Sequence, residues 1–242
     1  MAFDQDYFST HTYANISFGR YSQYWWSNCF YARLARRLGR KGSRLLEIGS
    51  GLGHLVGQLE NDFETFGLDV NPWALMQARQ VAGRSHFQCG SAEQLPFEDH
   101  SFGVIILKHV VEHLPHPERC VQELDRVLSG DGVVILATPN MDSKWRLIKG
   151  EKWIGYQDPT HISLKPPEEW QGLLKEAHFN HIKIFADGFW DVPYIKGIPN
   201  PIQKMLFGLP GGLQAMSGIL FLPRLAGESI IVIARRTKLP SR

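Results

Sequence analysis

The sequence predicts an α/β protein built on a doubly wound, mostly parallel sheet. Between residues 44 and 139, short apolar runs alternate with longer amphipathic segments, and Gly, Asp, Asn or Pro flanks each run. The five runs lie at residues 44–49, 64–70, 85–89, 102–108 and 132–137. Two more strand-like runs at 181–186 and 229–234 bring the predicted sheet to seven strands.

Three segments between these runs have the length and the start signals of helices, at residues 52–60, 72–82 and 117–128. Asn71 followed by Pro72 gives the second a capping residue and a proline at its first position. Pro117 begins the third in the same way, and its apolar residues recur at three- and four-residue spacing. This spacing predicts a helix with one face packed on the sheet.

The remaining segments are predicted to cover this sheet within a single domain of residues 1–242. Residues 1–42 form an aromatic-rich cap, residues 43–140 the binding core, and residues 141–180 a segment on the substrate side. An apolar insertion at 189–227 is expected to act as a lid before the last strand at 228–236. Pro210, Gly211 and Gly212 are expected to break any helix in the uncharged stretch 205–223, which favours a lid or a membrane-surface contact over a transmembrane span.

The composition excludes several classes of protein. The chain has 242 residues, 43% hydrophobic and 21% charged, which is typical of a globular domain. Its 26 basic and 24 acidic residues give a net charge of +2, too weak a field to favour nucleic acid as a partner. Cys29, Cys89 and Cys120 lie far apart, and the first twenty residues lack a secretory signal, so a cytoplasmic location is expected.

A glycine-rich turn follows the first predicted strand, in the sequence Leu-Leu-Glu-Ile-Gly-Ser-Gly-Leu-Gly at residues 45–53. Such a turn lets a ligand approach the backbone. The dinucleotide fingerprint requires a further glycine where this chain has His54. Glu47, just before the turn, would repel a pyrophosphate and attract a cationic ligand.

A second acid, Asp69, ends the second predicted strand and is placed beside the first strand by the βαβ unit. A carboxylate at this position can accept both hydroxyls of a ribose. A ligand with positive charge at one end and a ribose in its middle describes S-adenosylmethionine. The predicted cofactor is therefore S-adenosylmethionine, and the alternative is that both acids are merely solvated strand ends.

These features resemble the class I S-adenosylmethionine-dependent methyltransferases, in particular the small-molecule enzymes of the ubiquinone-biosynthesis type. The resemblance spans residues 43–140 and implies a Rossmann-like sheet of seven strands with the last one antiparallel. It implies a cofactor site made of the turn, the ribose acid, the loop after the third strand, the end of the fourth strand and the cap. The residues concerned are Glu47, Gly49, Ser50, Gly51, Gly53, Asp69, Val70, Ser91, Ala92, Glu93, Lys108 and Tyr21.

The chain departs from this resemblance at Ser91, where many relatives carry an acid that accepts a hydrogen bond from adenine. Ser91 or Glu93 is expected to substitute for it, together with the backbone and apolar surface of Ala92. Lys108 is expected to face the cofactor through its backbone carbonyl. Tyr21 lies in the segment that commonly closes over the methionine end in such enzymes.

Three histidines are the candidate catalytic residues, because an imidazole can accept the proton that an oxygen or carbon acceptor loses. His109 and His113 follow the fourth predicted strand, and His161 follows the fifth. Residues 109–113 also spell the H-x-x-E-H motif of some zinc hydrolases, with Glu112 as its acid. That motif needs a continuous helix, whereas here it follows a strand and precedes Pro115 and Pro117, so no metal site is predicted.

The predicted function is methyl transfer to a small, apolar acceptor, with oxygen slightly favoured over carbon. The aromatic cap and the apolar insertion suggest the hydrophobic character of that acceptor. Two alternatives remain open: a non-catalytic S-adenosylmethionine-binding protein, and a zinc-dependent hydrolase using His109, Glu112 and His113. The sequence does not predict an oligomeric state.

Overall fold

The computed structural model describes residues 17–236, so the first sixteen residues of the predicted cap lie outside the described part of the chain. Seven strands form one sheet in the order β3-β2-β1-β4-β5-β7-β6, which confirms the predicted fold class. The strands are β1 Arg44–Ile48, β2 Glu64–Asp69, β3 His86–Cys89, β4 Phe102–Lys108, β5 Leu128–Pro139, β6 Phe179–Ala186 and β7 Ser229–Arg236.

Eight α-helices connect and cover these strands within residues 17–236. They are α1 Gln23–Leu38, α2 His54–Gly57, α3 Pro72–Val81, α4 Pro117–Val127, α5 Lys144–Lys149, α6 Ile154–Gln157, α7 Pro167–Glu176 and α8 Asn200–Ser217. Helix α2 is shorter than the predicted segment 52–60, whereas α3 and α4 agree with prediction to within one residue. The sequence reasoning did not identify α1, α5, α6, α7 or α8 as helices.

The strand pairings place the carboxyl ends of the central strands at one edge of the sheet. β1 pairs in parallel with β2 and β4, β2 with β3, and β4 with β5. Only β7 runs antiparallel, between β5 and β6, as the family resemblance implied. The chain adds strands outward from β1 to β3 and then returns to β4 on the other side of β1, so the strand order reverses between β1 and β4 while both strands stay parallel.

Two apolar layers hold the sheet between its helices. One layer packs the face that carries Leu46, Ile105 and Leu136 against α4 and α7, with Trp170 fully buried in it. The other packs the opposite face against α1 and α2. Ser22 precedes helix α1, and its hydroxyl accepts a hydrogen bond from the Trp25 backbone N–H at 3.1 Å and so caps the helix.

The prediction that residues 210–212 break any helix is wrong, because α8 continues through Pro210. Two fully buried glutamines hold its ends. The Gln203 side chain accepts hydrogen bonds from the backbone of Tyr194 at 2.7 Å and of Ile195 at 2.9 Å. The Gln214 side chain donates to the Ala186 carbonyl at 2.8 Å. These tertiary bonds oppose the cost of about 3 kcal/mol that a proline imposes on a helix interior.

Close packing explains the glycine that follows this proline. A Cβ atom on Gly211 would lie 2.5 Å from the Trp190 ring and 2.8 Å from the Asp187 carbonyl oxygen. Glycine is therefore required where α8 crosses the segment after β6. Among residues 17–236, no helix has both the length and the apolar character needed to span a membrane.

Candidate functional site

The turn after β1 has the backbone conformation that its three glycines predict. Gly49, Gly51 and Gly53 have φ values of 71°, 49° and 76°, a region that favours glycine. A Cβ atom on Gly49 would lie 2.4 Å from a Val110 methyl group. The backbone N–H groups of Gly49 and Ser50 both donate to the Leu68 carbonyl, at 2.7 and 3.0 Å, which ties the turn to β2.

Asp69 lies at the carboxyl end of β2, only 7% exposed. Its Oδ2 accepts a hydrogen bond from the Gly51 N–H at 2.8 Å, and its Oδ1 accepts one from the Asn71 N–H at 2.9 Å. Burial raises the pKa of this carboxyl, and these N–H groups act in the opposite direction. Since each carboxylate oxygen can accept more than one hydrogen bond, both oxygens retain capacity for a ribose hydroxyl.

The buried acid Glu47 and the half-buried base Lys108 lie near enough for their charges to interact. Glu47 Oε2 accepts a hydrogen bond from the Val56 N–H at 3.0 Å, so the acid also holds the start of α2. Burial raises the pKa of Glu47 to about 8. Burial also lowers the pKa of Lys108 to about 8, and the nearby Glu47 opposes that shift.

The Lys108 side chain, which sequence reasoning did not assign, connects β4 to α1. Its Nζ donates to Asn28 Oδ1 at 2.9 Å and lies 5.1 Å from the centre of the Tyr24 ring. Tyr24 also contacts His54 of the glycine turn, with ring centres 5.6 Å apart. Tyr21 is 63% exposed and packs against Trp25, so its assignment to the cofactor stays a prediction.

The loop after β3 is fixed by the two residues predicted to replace the missing acid. Ser91 Oγ accepts a hydrogen bond from the Glu93 N–H at 3.1 Å, and Glu93 Oε1 accepts one from the His116 N–H at 2.7 Å. Ala92 is buried in this loop, whereas Val70, after β2, is 50% exposed. The contacts of Ser91 and Glu93 stabilise the loop, and their direct role toward adenine stays a prediction.

Unsatisfied polar atoms concentrate at the carboxyl edge of the sheet. Six residues there have a buried side-chain N or O atom without a hydrogen-bond partner among residues 17–236: Asn28, Ser50, Asn71, Glu112, Thr138 and Glu228. A buried polar atom left unpaired costs about 1–3 kcal/mol. Ser50 lies in the glycine turn and Asn71 lies two residues after Asp69, and their unpaired atoms fit a polar ligand such as the predicted cofactor.

The structure brings two of the three predicted catalytic histidines together. The rings of His113 and His161 have centres 4.7 Å apart. His113 Nδ1 lies 2.8 Å from Thr160 Oγ1, which donates to Asp158 Oδ1 at 2.5 Å. His161 Nδ1 bonds to the Gly155 carbonyl at 2.7 Å. Burial lowers the pKa of His113, which favours the neutral imidazole.

His109, the third candidate, contacts a buried acid instead. Its Nδ1 lies 3.0 Å from Oε1 of Glu112, a residue that is fully buried. Burial alone would raise the pKa of Glu112, but the hydrogen bond from His109 and the charges of His109 and His113 lower it overall. In the sequence analysis Glu112 is the acid of the zinc motif, and it is not among the candidate catalytic residues.

The H-x-x-E-H motif does not form the helix that a zinc hydrolase needs. Residues Val111–His113 make a single 3-10 turn, and His109 before it has a φ of 55°. His109 and His113 therefore do not project from one helical face. The cluster that forms instead contains Glu112, His113 and His161, whose ligand atoms all lie within 4.8 Å of one another.

Asp187 is a site residue that sequence reasoning missed, because it stands just beyond the apolar run of β6. It lies at the same sheet edge, and its Oδ1 accepts a hydrogen bond from the Ser229 N–H at 2.9 Å. Burial raises its pKa to about 7, while the positive potential of His109 lowers it and the charge of Glu228 raises it.

The raised pKa of Asp187 predicts a specific pH dependence of stability. Between pH 4 and 7 the folded protein retains a proton that the unfolded chain releases, so Asp187 contributes less stability as pH rises. The free energy of unfolding of the wild type, minus that of Asp187→Asn, should fall by up to about 1.4 kcal/mol per pH unit in this window. Urea unfolding at several pH values measures this difference, with the exposed Glu98→Gln as the control for loss of one carboxyl. A difference that grows with pH would contradict the expectation.

The sheet order, the glycine turn and the strand-end acid together define a Rossmann-like fold, of the kind that binds a nucleoside-containing cofactor. Residues 46–136 match the methyltransferase domain family. The chain is similar to a Thermotoga maritima S-adenosylmethionine-dependent methyltransferase of known structure, with a TM-score of 0.62 at 17% identity, covering 88% of this chain and 92% of that one. The matched domain and the fold together support a class I S-adenosylmethionine-dependent methyltransferase, the family that the sequence resemblance indicated.

Two curated relatives extend this similarity. The chain is 28% identical over 164 residues to the uncharacterized methyltransferase YcgJ of Bacillus subtilis, covering 64% of this chain and 62% of that protein. It is 36% identical over 108 residues to the phthiotriol/phenolphthiotriol dimycocerosates methyltransferase of Mycobacterium leprae, and this match covers 42% of this chain and 40% of that protein. The chain thus spans less than two thirds of the length of each relative.

Proposed function

We propose that the protein transfers a methyl group from S-adenosylmethionine to a hydroxyl oxygen of a small, apolar acceptor. The observation that carries the proposal is the nearly buried Asp69 beside three glycines with positive φ. The cofactor, when bound, supplies a methyl group made electrophilic by the sulfonium. Asp69 would hold the ribose, Val70 and Ala92 would contact the adenine, and Glu47 would attract the positive methionine end.

An aromatic cluster and the three candidate histidines support the acceptor side of the proposal. The Trp145 ring centre lies 4.6 Å from that of Tyr194, 5.7 Å from that of Phe207 and 6.3 Å from that of Phe189. These rings can exclude water and hold an apolar molecule by burial of its surface. The imidazoles of His109, His113 and His161, together with Glu112, supply the polar groups where an acceptor oxygen is held and loses its proton.

Two assays in sequence test this function. Calorimetric titration of S-adenosylhomocysteine is expected to give a Kd of roughly micromolar order. Transfer of a labelled methyl group to a panel of apolar hydroxylated compounds is then expected, with hydrophilic acceptors of similar size as controls. Binding with no turnover on either set would favour the non-catalytic alternative, and methylation confined to hydrophilic acceptors would contradict the apolar acceptor.

We propose also that α8 contacts the surface of an anionic membrane, from which an apolar acceptor would reach the site. One face of α8 exposes apolar side chains at helical spacing: Ile202, Met205, Leu206, Leu209, Leu213 and Met216 are 46–65% exposed. The uninterrupted stretch 192–223 contains Lys196 and Lys204 and no acidic residue. An exposed apolar helix face with only positive charge in its flanking sequence matches an anionic lipid surface.

Vesicle sedimentation tests this contact. Binding to vesicles that contain phosphatidylglycerol is expected to exceed binding to pure phosphatidylcholine vesicles. The double substitution Leu206→Ser with Leu209→Ser should weaken that binding by about tenfold or more, because two apolar side chains no longer enter the interface. Met76→Ser, which removes an apolar residue that is 59% exposed on α3, is the matched control. Equal binding by the double variant would contradict the contact.

We also propose a reducing, cytoplasmic location for the protein. The support is that Cys29, Cys89 and Cys120 are all free thiols in the folded chain. Structural disulfides are rare in reducing compartments and common outside them.

A further inference from the structure

A compact group of potential metal ligands lies where the turn after β4 meets the loop after α6. Glu112 and His113 belong to the turn after β4, and His161 comes from the loop after α6. Their ligand atoms all lie within 4.8 Å of one another. Glu112 is 0% exposed, and its Oε2 has no hydrogen-bond partner among residues 17–236. A buried carboxylate oxygen without a partner is costly unless a cation balances it.

The other atoms of these ligands are already fixed by neighbouring groups. His113 Nδ1 lies 2.8 Å from Thr160 Oγ1, and His161 Nδ1 lies 2.7 Å from the Gly155 carbonyl oxygen. The remaining carboxylate oxygen of Glu112, Oε1, lies 3.0 Å from His109 Nδ1. Metal-binding histidines and carboxylates characteristically have such outer contacts, which orient the coordinating atoms.

We propose that Glu112 Oε2 and the Nε2 atoms of His113 and His161 bind one divalent transition-metal ion, with Zn²⁺ as the best-matched ion. Two histidines and one glutamate with an open fourth position are a ligand set of catalytic zinc sites. Bonds of about 2.0–2.1 Å in tetrahedral geometry require ligand atoms roughly 3.3 Å apart. The cluster must therefore contract on binding, and His161, on a partly exposed loop, is the ligand placed to move.

This ion would give the site a means of activating the acceptor, an inference that rests on the proposed methyl transfer. An acceptor hydroxyl bound at the open position loses its proton to solvent more readily, because a bound metal lowers the pKa of an oxygen ligand. The acceptor oxygen then forms a bond to the methyl carbon as the carbon–sulfur bond breaks, and the sulfur keeps the electron pair.

Metal content of the purified full chain tests the site. Chelator-treated protein is loaded with Zn²⁺, desalted and measured by mass spectrometry, and one zinc per chain is expected. Glu112→Gln and His161→Ala should each weaken Zn²⁺ binding by more than about 100-fold, since loss of outer contacts alone costs 10–100-fold. His116→Ala, at an exposed histidine of the same region, should keep the wild-type zinc content. Thermal melting verifies that each variant is folded, and His161→Ala carries the test if Glu112→Gln does not fold.

Cobalt substitution gives a second readout that is independent of activity. Four-coordinate Co²⁺ absorbs strongly in the visible range, and this absorption should be present in the wild type and absent in His161→Ala. Failure to retain any metal, or retention by both ligand variants at the wild-type level, would overturn the site. S-adenosylhomocysteine titration on the same samples separates the two proposals. Binding of the nucleoside by protein that retains no zinc would contradict only the metal site. Retention of zinc by protein that does not bind the nucleoside would contradict only the proposed function.

Discussion

Asp69→Ala is expected to weaken the binding of S-adenosylhomocysteine by at least about 100-fold, the equivalent of roughly 2.7 kcal/mol. Both ribose hydroxyls would lose a charged acceptor, and hydrogen bonds to charged groups contribute about 1.5–3 kcal/mol each. Titration calorimetry measures the change directly. Glu64→Gln, at the opposite and exposed end of β2, should leave the affinity within about threefold of the wild type.

Asp69→Ala should also lower the stability of the folded protein, because Asp69 holds the glycine turn in place. Alanine leaves the buried N–H groups of Gly51 and Asn71 without their acceptors. A second variant, Asp69→Asn, keeps the size of the side chain and one carbonyl oxygen, and thermal melting shows whether it folds. A folded Asp69→Asn with wild-type affinity would contradict the assignment of Asp69 as the ribose acid.

Glu228→Ala is expected to lower the free energy of unfolding by about 3–5 kcal/mol, because it leaves several buried donors unpaired. Glu228 Oε2 accepts hydrogen bonds from Trp153 Nε1 at 2.6 Å and from Ser143 Oγ at 3.3 Å. Trp153 is fully buried, and Ser143 is nearly so. Burial raises the pKa of Glu228, so the amide of Glu228→Gln should preserve at least half of the lost stability.

Chemical denaturation measures this effect, with Glu168→Ala as the control. Glu168 is an exposed acid that pairs with Arg224 at the surface, and such a pair contributes about 0–1 kcal/mol. The affinity for S-adenosylhomocysteine should change little in Glu228→Ala, because Glu228 lies beyond β5 from the glycine turn. A loss below about 1 kcal/mol would show that Glu228 does not anchor the segment around Trp153.

The core of the fold could be predicted because parallel strands buried on both faces must be continuous apolar runs. The predicted run 102–108 coincides with β4, and the predicted run 64–70 is one residue longer than β2. β5 begins at Leu128, four residues before the predicted run, because α4 leads directly into the strand. Helix α8 was missed because the local propensity of Pro210 disfavours a helix. Its buried residues Gln203 and Gln214 bind backbone groups outside the helix, and local propensity does not include such tertiary contacts.

The sequence by itself determined the glycine turn, the strand-end acid Asp69 and the alternation of strands and helices around them, because these depend on local backbone conformation and on residues adjacent in the chain. The tertiary structure decided which distant side chains meet: Lys108 with Asn28, and Glu112 and His113 with His161. No periodicity encodes such contacts, since each joins separate elements across the sheet edge. Burial at that edge then sets the charge of the acids and imidazoles, because desolvation acts only once the chain has folded around them.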